Sequence, residues 1–242
     1  MRIDYDTLAT EYARHRQVHP GILQSLISTG RLAETSRVLD VGCGTGNYVA
    51  ALEQATGCQC WGCEPSEQML AQAKAKNPTA RLVLGQAERL GYAAESFDMV
   101  FSVDVIHHVS DRAEYLRQAH RVLKPGGRVC TVTDSDDIIR HRQPLSVYFP
   151  ETVEIEMQRY PRIADLRDMM ARAGFSQIQD NTVEFAYTRS DIQIYRDKAF
   201  SCLLLISPEA FGRGIQRMEQ DLRAGPIQCV SRYLMLWGVK GL

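Results

Sequence analysis

The sequence predicts an α/β fold, with helices packed around a parallel β-sheet in one domain that carries insertions. Three observations support that expectation. Apolar runs alternate with helical patterns through the first half of the 242 residues, as repeated strand–helix units require. The first strand runs into glycines at alternate positions, Gly42, Gly44 and Gly46, and then into a helix. Composition points nowhere else: 45% hydrophobic and 24% charged residues lie near globular averages and exclude disordered, collagen-like and coiled-coil chains.

In chain order, Arg37 to Val41 reads as the first strand and Tyr48 to Thr56 as its helix. Cys58 to Cys63 is a second strand. Ser66, whose hydroxyl can accept a backbone N–H, opens a helix to Lys76. Arg81 to Gly85 is a third strand and Phe97 to Val103 a fourth, followed by a helix from Asp111 to Leu123. Pro125, Gly126 and Gly127 end that helix, and Arg128 to Thr133 forms the fifth strand. Asp134 to Tyr160 holds few regular signals but many Arg, His and aromatic residues. Ile163 to Ala173 is an amphipathic helix closed by Gly174. Gln177 to Thr188 suggests a sixth strand. Helical stretches over Asp191 to Ile206 and Pro208 to Leu222 precede a last strand near Ser231 to Val239.

Charge and cysteine usage bound the partners. Lys+Arg 28 against Asp+Glu 29 leaves a net charge of −1, whereas nucleic-acid-binding domains usually carry a basic surplus; no nucleic-acid partner is expected. Met1 is followed by no apolar leader segment, and no run approaches the ~18 apolar residues of a membrane span. A soluble, cytoplasmic, reducing setting without membrane attachment is therefore expected. The seven cysteines are odd in number and lie mostly in strand-like runs, which argues against a disulfide framework. Along a strand, Cys58 and Cys60 share a face and Cys63 points the other way. No finger-spaced His/Cys pair follows, so these are expected to be structural thiols, with no metal.

The chemistry lies between Val38 and Tyr48. Glycine suits a backbone that turns with unusual dihedrals, or one against which a ligand lies directly. The N-terminus of the next helix offers free N–H groups and a positive dipole end, which suits a carboxylate or phosphate. Spacing separates the candidates. The dinucleotide fingerprint would need its last glycine where Asn47 stands, which argues against a nicotinamide-dependent dehydrogenase. The Gly-Lys-Ser/Thr of a P-loop is absent. What stands is D-x-G-x-G-x-G from Asp40 to Gly46, with Glu64 ending the second strand, where a carboxylate can grip both hydroxyls of a ribose.

These residues, together with GQAERL at 85–90, FDMVFSVDVIHHV at 97–109 and RVLKPGGRV at 121–129, resemble the class I S-adenosylmethionine-dependent methyltransferases. The likeness is to the small-molecule, methyltransferase-11/25-like group and covers roughly residues 36–133. Tyr12 to Pro20 resembles the Tyr-x-x-x-Arg-Pro-x-x-Pro lead-in of that group, with Gln17 in place of the first proline. The resemblance implies a Rossmann-like seven-stranded mixed sheet with its last strand antiparallel and helices on both faces. It also implies a small C-terminal lid, and S-adenosylmethionine lying across the carboxyl ends of strands one to four. Carried over position by position, Asp40 supports the glycine loop, and Gly42, Gly44 and Gly46 lie under the methionine part. Glu64, followed by Pro65, holds the ribose, and Met69 packs on the adenine. Gln86 and Ala87 contact the adenine edge, although the family more often has Asp where Gln86 stands. Ser102, Val103 and His107 border the methyl group, and Tyr12 and Arg16 close over the cofactor. Residues 1–35 would cover the cofactor, 36–133 bind it, and 134–162 with 189–226 form a substrate lid.

The implied activity is methyl transfer to a small-molecule acceptor, leaving S-adenosylhomocysteine, in a monomer or homodimer. Orientation can be worth ~7–11 kcal/mol, and a base is needed only if the acceptor is protonated. His107 and His108, which titrate near neutrality when unperturbed, are the candidate bases; otherwise they shape the pocket and pack the turn. Arg140, Arg142 and Arg159 are candidates for binding an acidic substrate group, the alternative being a solvated loop face; Tyr148 in the same loop is a lid aromatic or plain packing. Methylation of RNA or protein is an alternative, against which no Asn-Pro-Pro-Tyr-type motif follows strand four, where Ser102 to Val105 stand. A non-catalytic S-adenosylmethionine-binding protein is another.

Overall fold

Strands covered on both faces must be apolar at nearly every position, and residues 37–41, 97–103 and 128–133 largely are. The computed structural model, which describes residues 14–242, forms them into one sheet. Its strands are β1 (Arg37–Val41), β2 (Gln59–Glu64), β3 (Arg81–Leu84), β4 (Phe97–Val103), β5 (Leu123–Thr133), β6 (Phe175–Arg189) and β7 (Ile227–Lys240). They lie in the order β3-β2-β1-β4-β5-β7-β6. The first five pair in parallel, and β7 runs antiparallel to both β5 and β6. The sheet is thus seven-stranded and mixed, with its last strand antiparallel, as the sequence implies.

The period-two alternation of side chains divides the core. Val38 and Met99 pack on one face with Ile22, Leu26 and Leu52. Leu39 and Val100 pack on the other with Leu116, Leu166 and Met170. Each fully buried aliphatic side chain of this kind contributes ~1.5–3 kcal/mol. Cys58 and Cys60 fall on the first face and Cys63 on the second, as strand geometry dictates. Their neighbours Cys58 and Cys60 place Sγ atoms 3.4 Å apart, and all seven cysteines are free and buried.

Helices begin where the sequence supplies caps. The His19 imidazole accepts the Ile22 N–H at 3.2 Å, and Pro20 occupies the first turn of α1 (Pro20–Gly30). The Gly46 αL residue leads into α2 (Asn47–Thr56). Ser66 accepts the Met69 N–H at 3.1 Å to start α3 (Glu67–Lys76), and Asp111 accepts the Glu114 N–H at 2.9 Å to start α4 (Arg112–Val122). Each such cap is worth ~1 kcal/mol.

Three stretches differ from the sequence expectation. Residues 124–127 do not separate a helix from a strand; β5 already begins at Leu123. Its register on β4 moves from Phe97↔Leu123 to Met99↔Arg128, so Lys124 to Gly127 bulge out, with Gly126 at φ +77°. Residues 134–160, expected to be irregular, form α5 (Asp136–Arg140), α6 (Leu145–Tyr148) and α7 (Glu151–Arg159), followed by α8 (Ile163–Arg172). Asp191 to Ile206 is not one helix but α9 (Gln193–Arg196) and a 3₁₀ turn, Ser201–Leu204, separated by Lys198 at φ +50°. Burial explains the break: Ile194, Tyr195, Cys202 and Leu203 all enter a third core, and one straight helix cannot turn every side inward.

That third core joins Leu145 and Phe149 to Met218 of α10 (Pro208–Ala224) and Cys229 of β7. The insertions therefore pack on one another, tied to the sheet where the Val230 N–H donates to the Gln143 carbonyl at 3.0 Å. No described helix is long and apolar enough to cross a membrane.

Candidate functional site

The carboxyl ends of the parallel strands point at the insertions, and two neighbouring cavities of about 190 and 480 Å³ lie between them. Ligands of open α/β sheets bind in this place. Both cavities share Arg16, Gly42, Val103, Asp104, Tyr187, Phe200, Ser231 and Tyr233.

The glycine loop is held to the end of β2. Gly42 and Cys43 donate N–H bonds to the Cys63 carbonyl at 2.7 and 3.2 Å, and Gly44 donates to Glu64 Oε2 at 2.9 Å. The other Glu64 oxygen accepts the Ser66 N–H at 3.0 Å. One buried carboxylate thus joins the loop to the start of α3. Gly42 has φ +74°, and a Cβ there would lie 2.4 Å from Val105 Cγ2, so only glycine fits this part of the floor. Gly44, Glu64, Pro65 and Met69 line the smaller cavity. Asp40 and Thr45 line the larger one, and Thr45 Oγ1 is buried without a hydrogen-bond partner. Burial, then the Glu64 charge, drives the Asp40 carboxyl well above its usual range.

These features fit a nucleoside carrying an amino-acid tail. A loop without side chains leaves main chain against the ligand, and a carboxylate with about four acceptor sites can hold N–H donors and hydroxyls together. Glu64 would take the ribose and Met69 the adenine.

Arg16 lies across both cavities. Its Nη1 is 3.3 Å from Asp104 Oδ2, its guanidinium stands 5.9 Å from the Phe200 ring centre, and Asn47 Nδ2 donates to its carbonyl at 3.0 Å. Tyr12 lies outside the described residues. Gly46 caps α2 but lines neither cavity, and neither do Gln86, which is exposed, or Ala87. Ser102 is fully buried and also absent from both cavities, because alternation along β4 turns it into the core; Val103 and Asp104 face the cavities instead.

The substrate candidates divide. Arg142 lines the smaller cavity but is held by two carboxylates, Asp134 Oδ2 and, at 2.8 Å, Glu156 Oε2. Its own burial opposes the charge, yet Asp134, Tyr160 and Glu156 hold the guanidinium protonated. Burial, with Asp104 and Glu156 adding to it, raises the Asp134 carboxyl against the pull of Arg142. Arg159 lies behind the cavity, on Glu156 Oε1 at 2.5 Å. Arg140 is exposed at the end of α5, away from both cavities, because its helix buries Ile138 and Ile139 instead. Tyr148 is no lid aromatic: it packs in the third core, and its hydroxyl donates to Asp221 Oδ2 at 2.7 Å. The arginines therefore do not form an open anion site.

His107 stacks on Tyr160, with ring centres 4.0 Å apart and planes 19° apart, and its Nδ1 is buried without a partner. Burial first, then His108 and the Arg159, Arg142 and Arg16 charges, keeps it well below its usual value. An imidazole so depressed is a weak base at neutral pH, so geometry makes His107 a wall of the chamber. His108 tilts against it, ring centres 3.9 Å apart, and keeps an exposed edge. Burial of the rest of the ring, then the Arg159 and Arg16 charges, lowers its imidazole to about 4.

The His107 shift has a measurable sign. The unfolded imidazole takes a proton near pH 6.5 and the folded one does not, so stability falls as pH drops below about 6.5. The slope reaches about 1.4 kcal/mol per pH unit for one histidine. Asp134, raised by burial, works in the opposite direction. The comparison of wild type with His107→Gln isolates the histidine: between pH 6.5 and 5.5 the variant is expected to lose about 1 kcal/mol less. Urea denaturation across that range tests this, and parallel curves would refute it.

Residues that the sequence reading passed over complete the chamber: Asp134, Glu156, Tyr160, Tyr195, Phe200 and Tyr233. Asp134 had a signal, since it follows β5 as Asp104 follows β4. The aromatics had none, because their loops carry no pattern that says which way they face.

Comparison with known proteins agrees with this geometry. Residues 39–131 match the family model of the methyltransferase domain. A demethylmenaquinone methyltransferase of Staphylococcus epidermidis is 32% identical over 157 residues, which cover 62% of this chain and 65% of that protein. The Bacillus subtilis YcgJ protein has the same fold, with a TM-score of 0.63 at 22% identity over 93% of this chain and all (100%) of that one. A Haemonchus contortus phosphoethanolamine N-methyltransferase 2, solved in complex with S-adenosyl-L-methionine, superposes with a TM-score of 0.63 at 23% identity, over 98% of this chain and 57% of that one. The motif order, the sheet and the family match together give residues 39–131 the methyltransferase domain of that family model, in a chain that spans just under two thirds of the Staphylococcus epidermidis relative's length.

Proposed function

We propose that the protein transfers a methyl group from S-adenosylmethionine to a small-molecule acceptor held beneath the insertions. The observation that carries this reading is a single chamber with two kinds of wall. Gly42, Gly44, Glu64 and Met69 border one side of it, and Asp134, Arg142, Tyr160 and Phe200 the other. Cofactor and acceptor can then meet without either leaving the protein. The Staphylococcus epidermidis relative is itself named for a small acceptor, which supports the same class here.

The bound cofactor supplies a methyl group on a positively charged sulfur, and an acceptor lone pair in line with that bond takes the methyl as the bonding electrons return to sulfur. The protein's part is then to orient and to exclude water. Glu64 and the glycine loop fix the cofactor end, and Arg16 with Phe200 covers the join between the two cavities. Tyr160 and His107, stacked on each other, wall the chamber beside that join. Alignment of this kind is worth ~7–11 kcal/mol. We assign residues 36–133 to cofactor binding and 134–162 with 189–226 to the acceptor lid. Seven buried free thiols support a reducing compartment such as the cytoplasm.

Calorimetric titration with S-adenosylmethionine, S-adenosylhomocysteine and NAD tests the cofactor. Saturable binding of the first two, with none of NAD, is the expected result. Transfer of a labelled methyl group to small acceptors then tests the reaction. Failure of both sulfur cofactors to bind would remove the reading.

A further inference from the structure

Asp104 and Asp134 are built alike. One follows β4 and the other β5, and because those strands are parallel neighbours both carboxylates reach the same chamber. Each rests one oxygen on a guanidinium: Asp104 Oδ2 on Arg16 at 3.3 Å, Asp134 Oδ2 on Arg142. In each the second oxygen, Oδ1, is buried with no hydrogen-bond partner. A buried acceptor left unmade bears its full desolvation penalty, and native proteins rarely leave one so. Two of them, on adjacent strand ends of one cavity, mark the place of a donor that the described residues do not supply.

The charges decide what kind of donor. Among the described residues, every arginine lining the chamber sits on a carboxylate: Arg16 on Asp104, Arg142 on Asp134 and Glu156, Arg232 on Glu184. An acidic acceptor would meet carboxylate oxygens with no guanidinium set aside for it. We infer that the methyl acceptor enters as a small primary ammonium whose N–H groups are taken by Asp104 Oδ1 and Asp134 Oδ1, and that Asp134 takes one of its protons, so that the freed nitrogen lone pair receives the methyl while the sulfur keeps the electrons of the broken bond. A hydroxyl offers one proton for two oxygens, whereas an ammonium offers three. A cation beside Asp134 also opposes the burial that raises its carboxyl. The inference rests on the methyl-transfer reading, because it takes this chamber as the acceptor half of that site.

Benzylammonium, benzyl alcohol and benzoate, alike in size, are titrated into protein saturated with S-adenosylhomocysteine. The amine is expected to bind at least about tenfold more tightly than the alcohol, and benzoate most weakly. Asp134→Asn and Asp104→Asn should each reduce the amine preference about tenfold, with S-adenosylhomocysteine affinity in Asp134→Asn unchanged within about twofold. If either variant fails to fold, the wild-type ranking of the three probes still decides. Equal or tighter binding of the alcohol or benzoate, or binding of none, overturns the amine assignment while S-adenosylhomocysteine still binds. Loss of S-adenosylhomocysteine binding by the wild type would overturn the methyl-transfer reading, and this inference with it.

Discussion

Replacing Glu64 by Gln is expected to weaken S-adenosylhomocysteine binding about 100-fold, or about 2.7 kcal/mol, with little change in the fold. The argument starts from what the carboxylate already does. Its two oxygens accept the Gly44 and Ser66 N–H groups at 2.9 and 3.0 Å, so it sets both the glycine loop and the entry to α3. An amide keeps one oxygen and turns an NH₂ toward the remaining donor. Hydrogen bonds to an ionised group are roughly twice as strong as neutral ones and worth ~1.5–3 kcal/mol each. Losing the charge weakens the grip on ribose hydroxyls and loosens the loop beneath them. Calorimetry on Glu64→Gln, with thermal melting alongside, separates the two effects. Affinity within about threefold of wild type would leave Glu64 as a loop anchor alone.

Gly42→Ala is expected to destabilise the protein by about 2–5 kcal/mol and to abolish tight cofactor binding. Two terms add. At φ +74° a side chain costs ~1–2 kcal/mol in the backbone. The new methyl would also lie 2.4 and 2.8 Å from the two Val105 methyls, and overpacking of that kind costs ~1–3 kcal/mol. Adding Val105→Ala to the variant should restore the packing part and leave the backbone part. Urea denaturation of the two single variants and the double tests the partition. Additive losses in the double variant would show that Val105 is not the obstacle.

What the sequence could reveal follows from how local each signal is. β1, β4 and the second half of β5 were legible because a strand covered on both faces is apolar at almost every position, and Val38, Leu39, Val100 and Val129 are. Ser66 and Asp111 were legible as caps because capping acts over three residues. The glycine loop and Glu64 were legible because the loop and the strand end it is tied to lie within 25 residues of one another. The lid was not. The run from Ala199 to Ile206 says that burial is coming but not that Lys198 turns the chain first. Arg140 and Arg142 look alike in sequence, yet the two-residue step from α5 into the chamber leaves one in solvent and pairs the other with Asp134 and Glu156. Tyr148 meets Asp221, 73 residues on, and no local pattern encodes such a pair. Ser102 and Val103 needed only the strand phase, whereas Asp104 opens on the cavity because the chain leaves β4 and turns there at φ +58°.

The place of β7 bears on how the chain can be made. It lies between β5 and β6, although it follows both in sequence. While a ribosome extends the chain, the 15-residue β6 therefore has its backbone groups exposed along both margins until β7 emerges to pair with it from Phe175↔Lys240 to Arg189↔Ile227. Unpaired edges of that length are sticky, and partnerships formed late across long sequence separations are slow. The nascent protein thus has a vulnerable interval that the finished one lacks. Because Ser231 and Tyr233 on β7 also wall both cavities, ligand binding can begin only once that interval has closed.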